Sequence, residues 1–200
     1  CYGNPRIKTP NIDRLASEGI RFTQFYVNGP VCSPSRTSVM TGCFPGRFRI
    51  HDYLADPEKN ARRAMPNYLD PSPPMLPRLL RTSGYTTGHF GKWHLGRGEG
   101  APEPGEYGFD EYKTDGTANG VSFGNLWGPE LRAKSSEIII DETIRFIEKN
   151  RDTPFYVQAW LLDTHARLMP NEEQVEAYKG MTGAYKIYYS AVTDSDRHIG

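Results

Sequence analysis

The sequence lacks a long apolar run. Its most apolar stretch, Phe155 to Leu162, is interrupted by Gln158 and falls far short of the ~20 residues that a membrane helix needs, so no membrane span is encoded. It also lacks net charge. With 24 Lys plus Arg against 24 Asp plus Glu, there is no global basic field to hold nucleic acid or an anionic membrane. Cysteine is scarce: Cys1, Cys32 and Cys43 are too few and odd in number for a disulfide framework, and no C-x-x-C pair points to zinc. The opening Cys-Tyr-Gly-Asn-Pro has no initiator Met, basic n-region or apolar h-region, so any targeting signal is expected to have been removed or to lie outside this sequence.

What is plentiful is glycine and proline, 20 and 16 in 200 residues, above the roughly 12% of an average chain. Much of the chain is therefore expected to be loop. A hydrophobic share of 37%, with 12 Tyr, 9 Phe and 3 Trp, excludes disorder. The length fits one domain or at most two small ones.

Thr9-Pro10-Asn11 reads as a helix start, with Ile12, Leu15 and Ala16 on one face before Gly19 stops the helix. Ile20 to Val27 is rich in β-branched and aromatic residues and is expected to be a strand. After the turn Asn28-Gly29-Pro30, a second helix runs from a Ser33 cap and Pro34 to Thr41, ended by Gly42, which leaves Cys32 just before a helix N-terminus. The proline-rich stretch from His51 to Pro74 is expected to wander over the surface without regular structure. Leu76, Leu79 and Leu80 mark a short helix closed by Gly84, and Tyr85 to Phe90 has the character of a buried strand. Gly91 to Gly128 forms a long excursion. Ser135 to Asn150 places Ile140, Ile144 and Ile147 on one helical face, Phe155 to Leu162 suits a central strand, and Tyr185, Tyr188, Tyr189 and Val192 lie at helical spacing. Alternating helices and strands without a hairpin signal predict a doubly wound α/β fold with a mostly parallel sheet. Ligands gather at the C-terminal strand ends of such folds, here the loops at Asn28 to Cys32, Gly91 to Gly96 and Asp163 to Pro170.

Cys32-Ser-Pro-Ser-Arg36 sets a thiol before a helix whose free N–H groups and dipole favour anions, with a guanidinium one turn on. An ordinary cysteine at a turn is the plain alternative. A cysteine-phosphatase cradle would need five residues between Cys and Arg, and here there are three. Lys92 and His94 stand two residues apart after a strand, a spacing that points both to one side of an extended segment and suits an oxyanion partner plus a proton carrier. His165, in Asp163-Thr-His-Ala, is on a third such loop. His51, His89 and His198 read as loop, strand and helix-terminal residues, Asp194-Ser-Asp-Arg197 as a solvated face, and the preceding tyrosines as core.

Here a resemblance enters. Cys32-Ser-Pro-Ser-Arg36 resembles the sulfatase signature Cys-x-Pro-Ser-Arg, and Gly84-Tyr-Thr-Thr-Gly-His-Phe-Gly-Lys92-Trp-His94 resembles the second signature of that family. The likeness extends to Thr9-Pro-Asn-Ile-Asp-Arg-Leu-Ala, to Tyr107-Gly-Phe-Asp and to Tyr189-Ser-Ala-Val-Thr-Asp, so it covers nearly the whole chain. It implies an alkaline-phosphatase-like α/β fold and the hydrolysis of sulfate esters, with Cys32 oxidised to formylglycine by a dedicated maturation enzyme. The hydrated aldehyde attacks sulfur and then collapses to release sulfate.

By the same resemblance Arg36 holds the formylglycine hydroxyl and Lys92 contacts that group and a sulfate oxygen. His94 is the base for the collapse, and His165 binds sulfate and assists the leaving oxygen. The family usually has Pro-His where this sequence has Thr164-His165. The family also holds calcium, sometimes magnesium, on Asp-Asp and Asp-Asn pairs; Cys32 would reach it only through its formylglycine oxygen. Neither pair is present, so residues 1–200 read as an internal piece of a longer catalytic domain, cut at both ends. The partners implied are a sulfated small molecule or carbohydrate and the maturation enzyme, and the location is periplasmic, secreted or lysosomal. A formylglycine-dependent phosphonate or phosphodiester hydrolase is one alternative, and an inactive sulfatase-like binding module is another. Substrate pockets are expected from loops such as Gly98 to Gly128, with Arg62, Arg63 and Arg97 as candidates to meet a polyanionic glycan.

Overall fold

The computed structural model describes residues 1–96, 99–115 and 122–200. Along the chain run the helices α1 (Pro10–Glu18), α2 (Cys32–Thr41), α3 (Pro57–Arg62) and α4 (Leu76–Thr82). Strands β1 (Thr86–Gly91) and β2 (Glu111–Thr114), helix α5 (Ser135–Asn150), strand β3 (Phe155–Trp160), and helices α6 (Glu172–Glu176) and α7 (Gly183–Ile199) follow. They divide into two compact units, one of residues 26–124 and 143–160, the other of residues 1–25, 125–142 and 161–200.

The larger unit carries the sheet. Its strands are all parallel in the order β2-β1-β3, with Gly88 opposite both Glu111 and Val157. β1 is buried from Thr87 onward, as expected for a strand flanked on both edges and covered on its faces. A Cβ on Gly88 would stand 3.0 Å from the ring of Phe146, so glycine is what lets α5 approach this strand. The described sheet is thus the parallel one expected, but β2, within Gly91 to Gly128, is a strand that the sequence pattern did not show. It has only four residues, Glu111-Tyr-Lys-Thr, too short for a period to emerge.

The stretch from His51 to Pro74 does not wander over the surface. Leu54, Met65 and Leu69 belong to one core with Met40, Ile50, Met75, Trp93, Leu95, Tyr107 and Phe109. The buried Tyr107 hydroxyl donates to the Leu69 carbonyl at 2.6 Å. Within the stretch lies α3, capped by the Asp56 carboxylate on the Lys59 N–H at 2.8 Å with Pro57 in its first turn, a start signal hidden among the other prolines.

In the smaller unit α1 begins where expected, but no α1 residue is buried. Its free N–H groups meet Asp196 of α7, which accepts from Asn11 at 3.1 Å and from Ile12 at 2.8 Å. Tyr178, after α6, takes the Lys8 N–H at 2.8 Å and bonds Thr193 at 2.7 Å. Asp194, Ser195 and Asp196 are consequently buried, against the solvated face expected of them. Of the tyrosine stripe only Tyr189 is buried, while Tyr185 and Tyr188 are exposed. The buried face of α5 is Ile139, Thr143 and Phe146, turned by one residue from the Ile140, Ile144, Ile147 row. Ile20 to Val27 forms no strand: Ile20, Phe22, Phe25 and Val27 are exposed and the segment has no ladder partner among the described residues. A β-rich composition makes a strand only when a neighbour supplies hydrogen bonds. Asn28 to Cys32 is therefore not a strand-end loop.

Candidate active site

Helix α2 starts two residues earlier than the Ser33 cap predicts, with Val31 extended as N-cap and Cys32 at the first helical position. Ser33 is released from capping. Its hydroxyl donates to the His94 carbonyl at 2.8 Å and accepts from the Leu54 N–H at 3.0 Å, tying three loops together while fully buried. Pro34 occupies the first turn, where its missing N–H costs nothing.

The Cys32 Sγ lies 2.9 Å from His94 Nδ1, and His94 Nε2 lies 2.9 Å from the Leu54 carbonyl. A carbonyl only accepts, so Nε2 carries a proton and Nδ1 faces the sulfur as acceptor, or as donor to a thiolate. His94 has a φ of 54°, a conformation uncommon outside glycine, and it aims the ring back at Cys32. Burial by itself raises the thiol, but the hydrogen bond from His94 and the charges of His94 and Lys92 overcome it and bring Cys32 down to about 7.

Arg36 lies one helical turn on. Its Nη1 donates to the Lys92 carbonyl at 2.5 Å, and its guanidinium lies over the Trp160 ring with Cζ 4.3 Å from the centroid. Burial pulls it down to about 10, and Nε has no hydrogen-bond partner among the described residues. Lys92 is buried. Desolvation lowers its ammonium pKa against the opposing pull of Cys32, while its N–H continues the ladder to the Trp160 carbonyl at 2.8 Å. Cys32, Arg36, Lys92 and His94 are thus brought together. The motif reading missed Ser33, Trp160 under Arg36, and Asp115, whose carboxylate accepts the Trp93 N–H at 3.0 Å at the C-terminal end of β2. Only Trp160 left a signal, as the residue that ends the β3 run.

His165 belongs to the smaller unit. It is exposed, and its ring meets Trp127 edge-on with centroids 5.0 Å apart. Its loop is held by Arg132, which donates to the carbonyls of His165 at 2.9 Å and Arg167 at 3.2 Å and pairs with Asp163 at 2.8 Å. His89 is a buried strand residue, boxed by Trp93, Trp160 and Phe109, and burial drives it down to about 3. His198 ends α7, 3.7 Å from Asp194. All three cysteines are free.

A thiol at a helix start, an imidazole in contact with it and two cations beside it make an arrangement that can present a nucleophile to an anionic group. The family model named Sulfatase matches residues 1–200. The chain belongs to the sulfatase family. Among curated sulfatases, N-acetylgalactosamine-6-sulfatase of Rattus norvegicus is 30% identical over the whole chain, which spans 42% of that protein. Arylsulfatase A of Bos taurus is 43% identical over 56% of the chain and 21% of its own length. The crystal structure of Ps i-CgsB superposes with a TM-score of 0.79 at 24% identity, over 98% of this chain and 49% of that one. That likeness shows the fold, the mixed α/β fold with a parallel sheet expected of a sulfatase. The chain spans about two-fifths of the length of the N-acetylgalactosamine-6-sulfatase it matches.

A hard divalent cation needs six or more oxygen ligands. The described residues hold no grouping of three or more His, Cys, Asp or Glu side chains able to bind a metal, and beside Cys32 stand Arg36 and Lys92 with Asp115 as the carboxylate that acts on them. These residues do not by themselves fit calcium or magnesium. No described helix is long and apolar enough to cross a membrane.

Proposed function

We propose that the protein carrying this chain hydrolyses sulfate esters, with Cys32 as the formylglycine precursor. What carries the reading is the Cys32–His94 contact of 2.9 Å at the start of α2, with Arg36 and Lys92 behind it. A formylglycine hydrate at this position supplies an oxygen nucleophile and, through its second hydroxyl, a route back to the aldehyde. The chain's own groups do the rest. Lys92 and Arg36 offset the negative charge that grows on the sulfuryl oxygens, and His94 Nδ1 accepts the proton of the second hydroxyl as the C–O bond to sulfate breaks and the aldehyde re-forms. Nε2–H, held on the Leu54 carbonyl, keeps that nitrogen free to do so.

His165 is proposed to bind sulfate and assist the leaving oxygen; its support is the family position alone. Calcium or magnesium, if used, would take its carboxylates from outside residues 1–200, which we read as part of a larger catalytic domain. The substrate is read as a sulfated small molecule or carbohydrate, as the name N-acetylgalactosamine-6-sulfatase says of a relative. Maturation requires a formylglycine-generating enzyme, and the compartment is periplasmic, extracellular or lysosomal.

The test uses the full-length protein made together with the maturation enzyme. The peptide holding Cys32 should be lighter by the exchange of two hydrogens and sulfur for one oxygen, and 4-nitrophenyl sulfate should be turned over while the Cys32→Ala protein is inert. An active enzyme with an unmodified thiol overturns the reading. Faster turnover of a phosphonate monoester than of any sulfate ester would reassign it to the phosphonate hydrolases.

A further inference from the structure

Two cations converge on one aromatic ring beside the nucleophile. The Tyr53 ring lies 6.5 Å from the His94 ring, whose Nδ1 touches Cys32 Sγ. Over Tyr53 stand the Lys59 ammonium, 4.7 Å from the centroid, and the Arg63 guanidinium, 4.8 Å from it. Lys59 and Arg63 are one turn apart at the end of α3. Like charges at that spacing disfavour a helix. The helix dipole favours basic residues near a C-terminus, but it does not turn both of them onto the same ring. Arg62, between them, shows the alternative, facing outward to Glu58 at 3.8 Å.

The carboxylates nearby do not use up this charge. Asp52 pairs with Arg63 at 3.0 Å and also takes the Tyr53 N–H at 2.7 Å. Asp56 accepts the Lys59 backbone N–H as helix cap. The Lys59 ammonium donates to the Tyr53 hydroxyl, a neutral acceptor; the Asp56 carboxylate acts on it through space, with no ion pair among the described residues. Hydrogen bonds from Lys59 and then Arg63 hold the phenol below its ordinary range, in keeping with an excess of positive charge.

We propose that Lys59 and Arg63, mounted on Tyr53, form a second anion subsite next to the nucleophile that takes a further sulfate or carboxylate group of the substrate. The substrate class is then a glycan with more than one anionic substituent. The proposal rests on the sulfate-ester reading and replaces the Arg62–Arg63 pair expected from sequence; Arg97 lies outside the described residues. Half-buried cations that still face solvent in this way act chiefly on the encounter and on KM, and salt screens them.

The experiment compares, on the full-length matured protein, a disulfated disaccharide with its monosulfated counterpart. Lys59→Gln and Arg63→Gln should each lower the ratio of kcat/KM for the disulfated over the monosulfated substrate about five- to ten-fold, through KM, with the loss shrinking in 0.5 M salt. Lys59→Arg, which keeps the charge, should restore the ratio and also guards against misfolding. A ratio unchanged within two-fold in both variants overturns the proposal. If the unmutated protein cleaves neither disaccharide, the sulfate-ester reading has failed, and the subsite is judged by calorimetry on the Cys32→Ala protein. There Lys59→Gln should weaken binding of the disulfated disaccharide about five-fold, and an unchanged Kd overturns the subsite too.

Discussion

Two arginines, one in each unit, are used in opposite ways. Arg132 spends its guanidinium: Nε goes to the Arg167 carbonyl, Nη1 to Asp163 and Ser135, and Nη2 to the His165 carbonyl. Among the described residues Arg36 donates one hydrogen bond, to the Lys92 carbonyl, and has a ring beneath it and an Nε left without a partner. The first is a scaffold for a loop. The second is a half-buried cation with an unpartnered Nε, compensated through space by Cys32 and Asp115, and such a group is stable only where the surrounding fold compensates it or a ligand completes it.

The largest effects should separate the two. Arg132→Met leaves Asp163 buried beside a cavity, and breaking a buried pair typically costs about 3–5 kcal/mol. Chemical denaturation of the full-length protein should show a loss of that size. Arg36→Met removes a desolvated cation that lacks a carboxylate contact, so stability should change by no more than about 1 kcal/mol, while kcat/KM for 4-nitrophenyl sulfate falls at least about a hundred-fold, the order of one lost electrostatic contact in a transition state. Equal stability losses in the two variants would erase the distinction.

A smaller effect is read at the Cys32 sulfur, where His94 and Lys92 act. In protein made without the maturation enzyme, Cys32 is a thiol held at about 7 instead of 9. Its pKa is lowered in the folded state, so the thiolate stabilises the fold above the ordinary cysteine pKa, and this is lost as pH falls through about 7. The rate of alkylation by iodoacetamide should therefore rise with pH with a midpoint near 7. His94→Ala removes the hydrogen bond and should push the midpoint up toward the ordinary value; an unmoved midpoint would show that the imidazole does not tune the sulfur.

The four residues of this cluster were legible in the sequence because each sits in a short motif fixed to an element boundary: Cys32 and Arg36 at a helix start, Lys92 and His94 after β1. The partners that give them their character were not. Ser33 looks like an N-cap and instead bridges His94 and Leu54, which only the fold of the His51 to Pro74 stretch makes possible. Asp196 looks solvent-facing in its local run of polar residues, and becomes buried because α1 needs an acceptor for its first N–H groups. Local patterns reveal where an element begins. They carry no information on which distant polar atom satisfies it.

Asp196 repeats the spent pattern of Arg132 with the opposite sign. Its two oxygens are taken up by the N–H groups of Asn11 and Ile12 and by the Asn11 amide. Loss of such a cap typically costs about 1 kcal/mol, and up to about 2 where it is buried. Asp196→Ala should lower stability by that amount without changing KM. Asp196→Asn keeps an acceptor and should recover at least half of the loss.

The smallest effect is expected at Arg62, neither spent nor poised. Its side chain is 69% exposed and its Glu58 partner 88%, at 3.8 Å. Such a pair gains little from water and is screened by salt. Arg62→Gln should leave the unfolding midpoint within about 1 °C and the disulfated-to-monosulfated ratio within about two-fold, both within the scatter expected of a surface change. Arg63, the next residue, differs only in turning inward to Asp52 and Tyr53. If Arg62→Gln lowered the substrate ratio as much as Arg63→Gln, the ratio would be reporting the overall charge of α3 and not the direction in which its cations point.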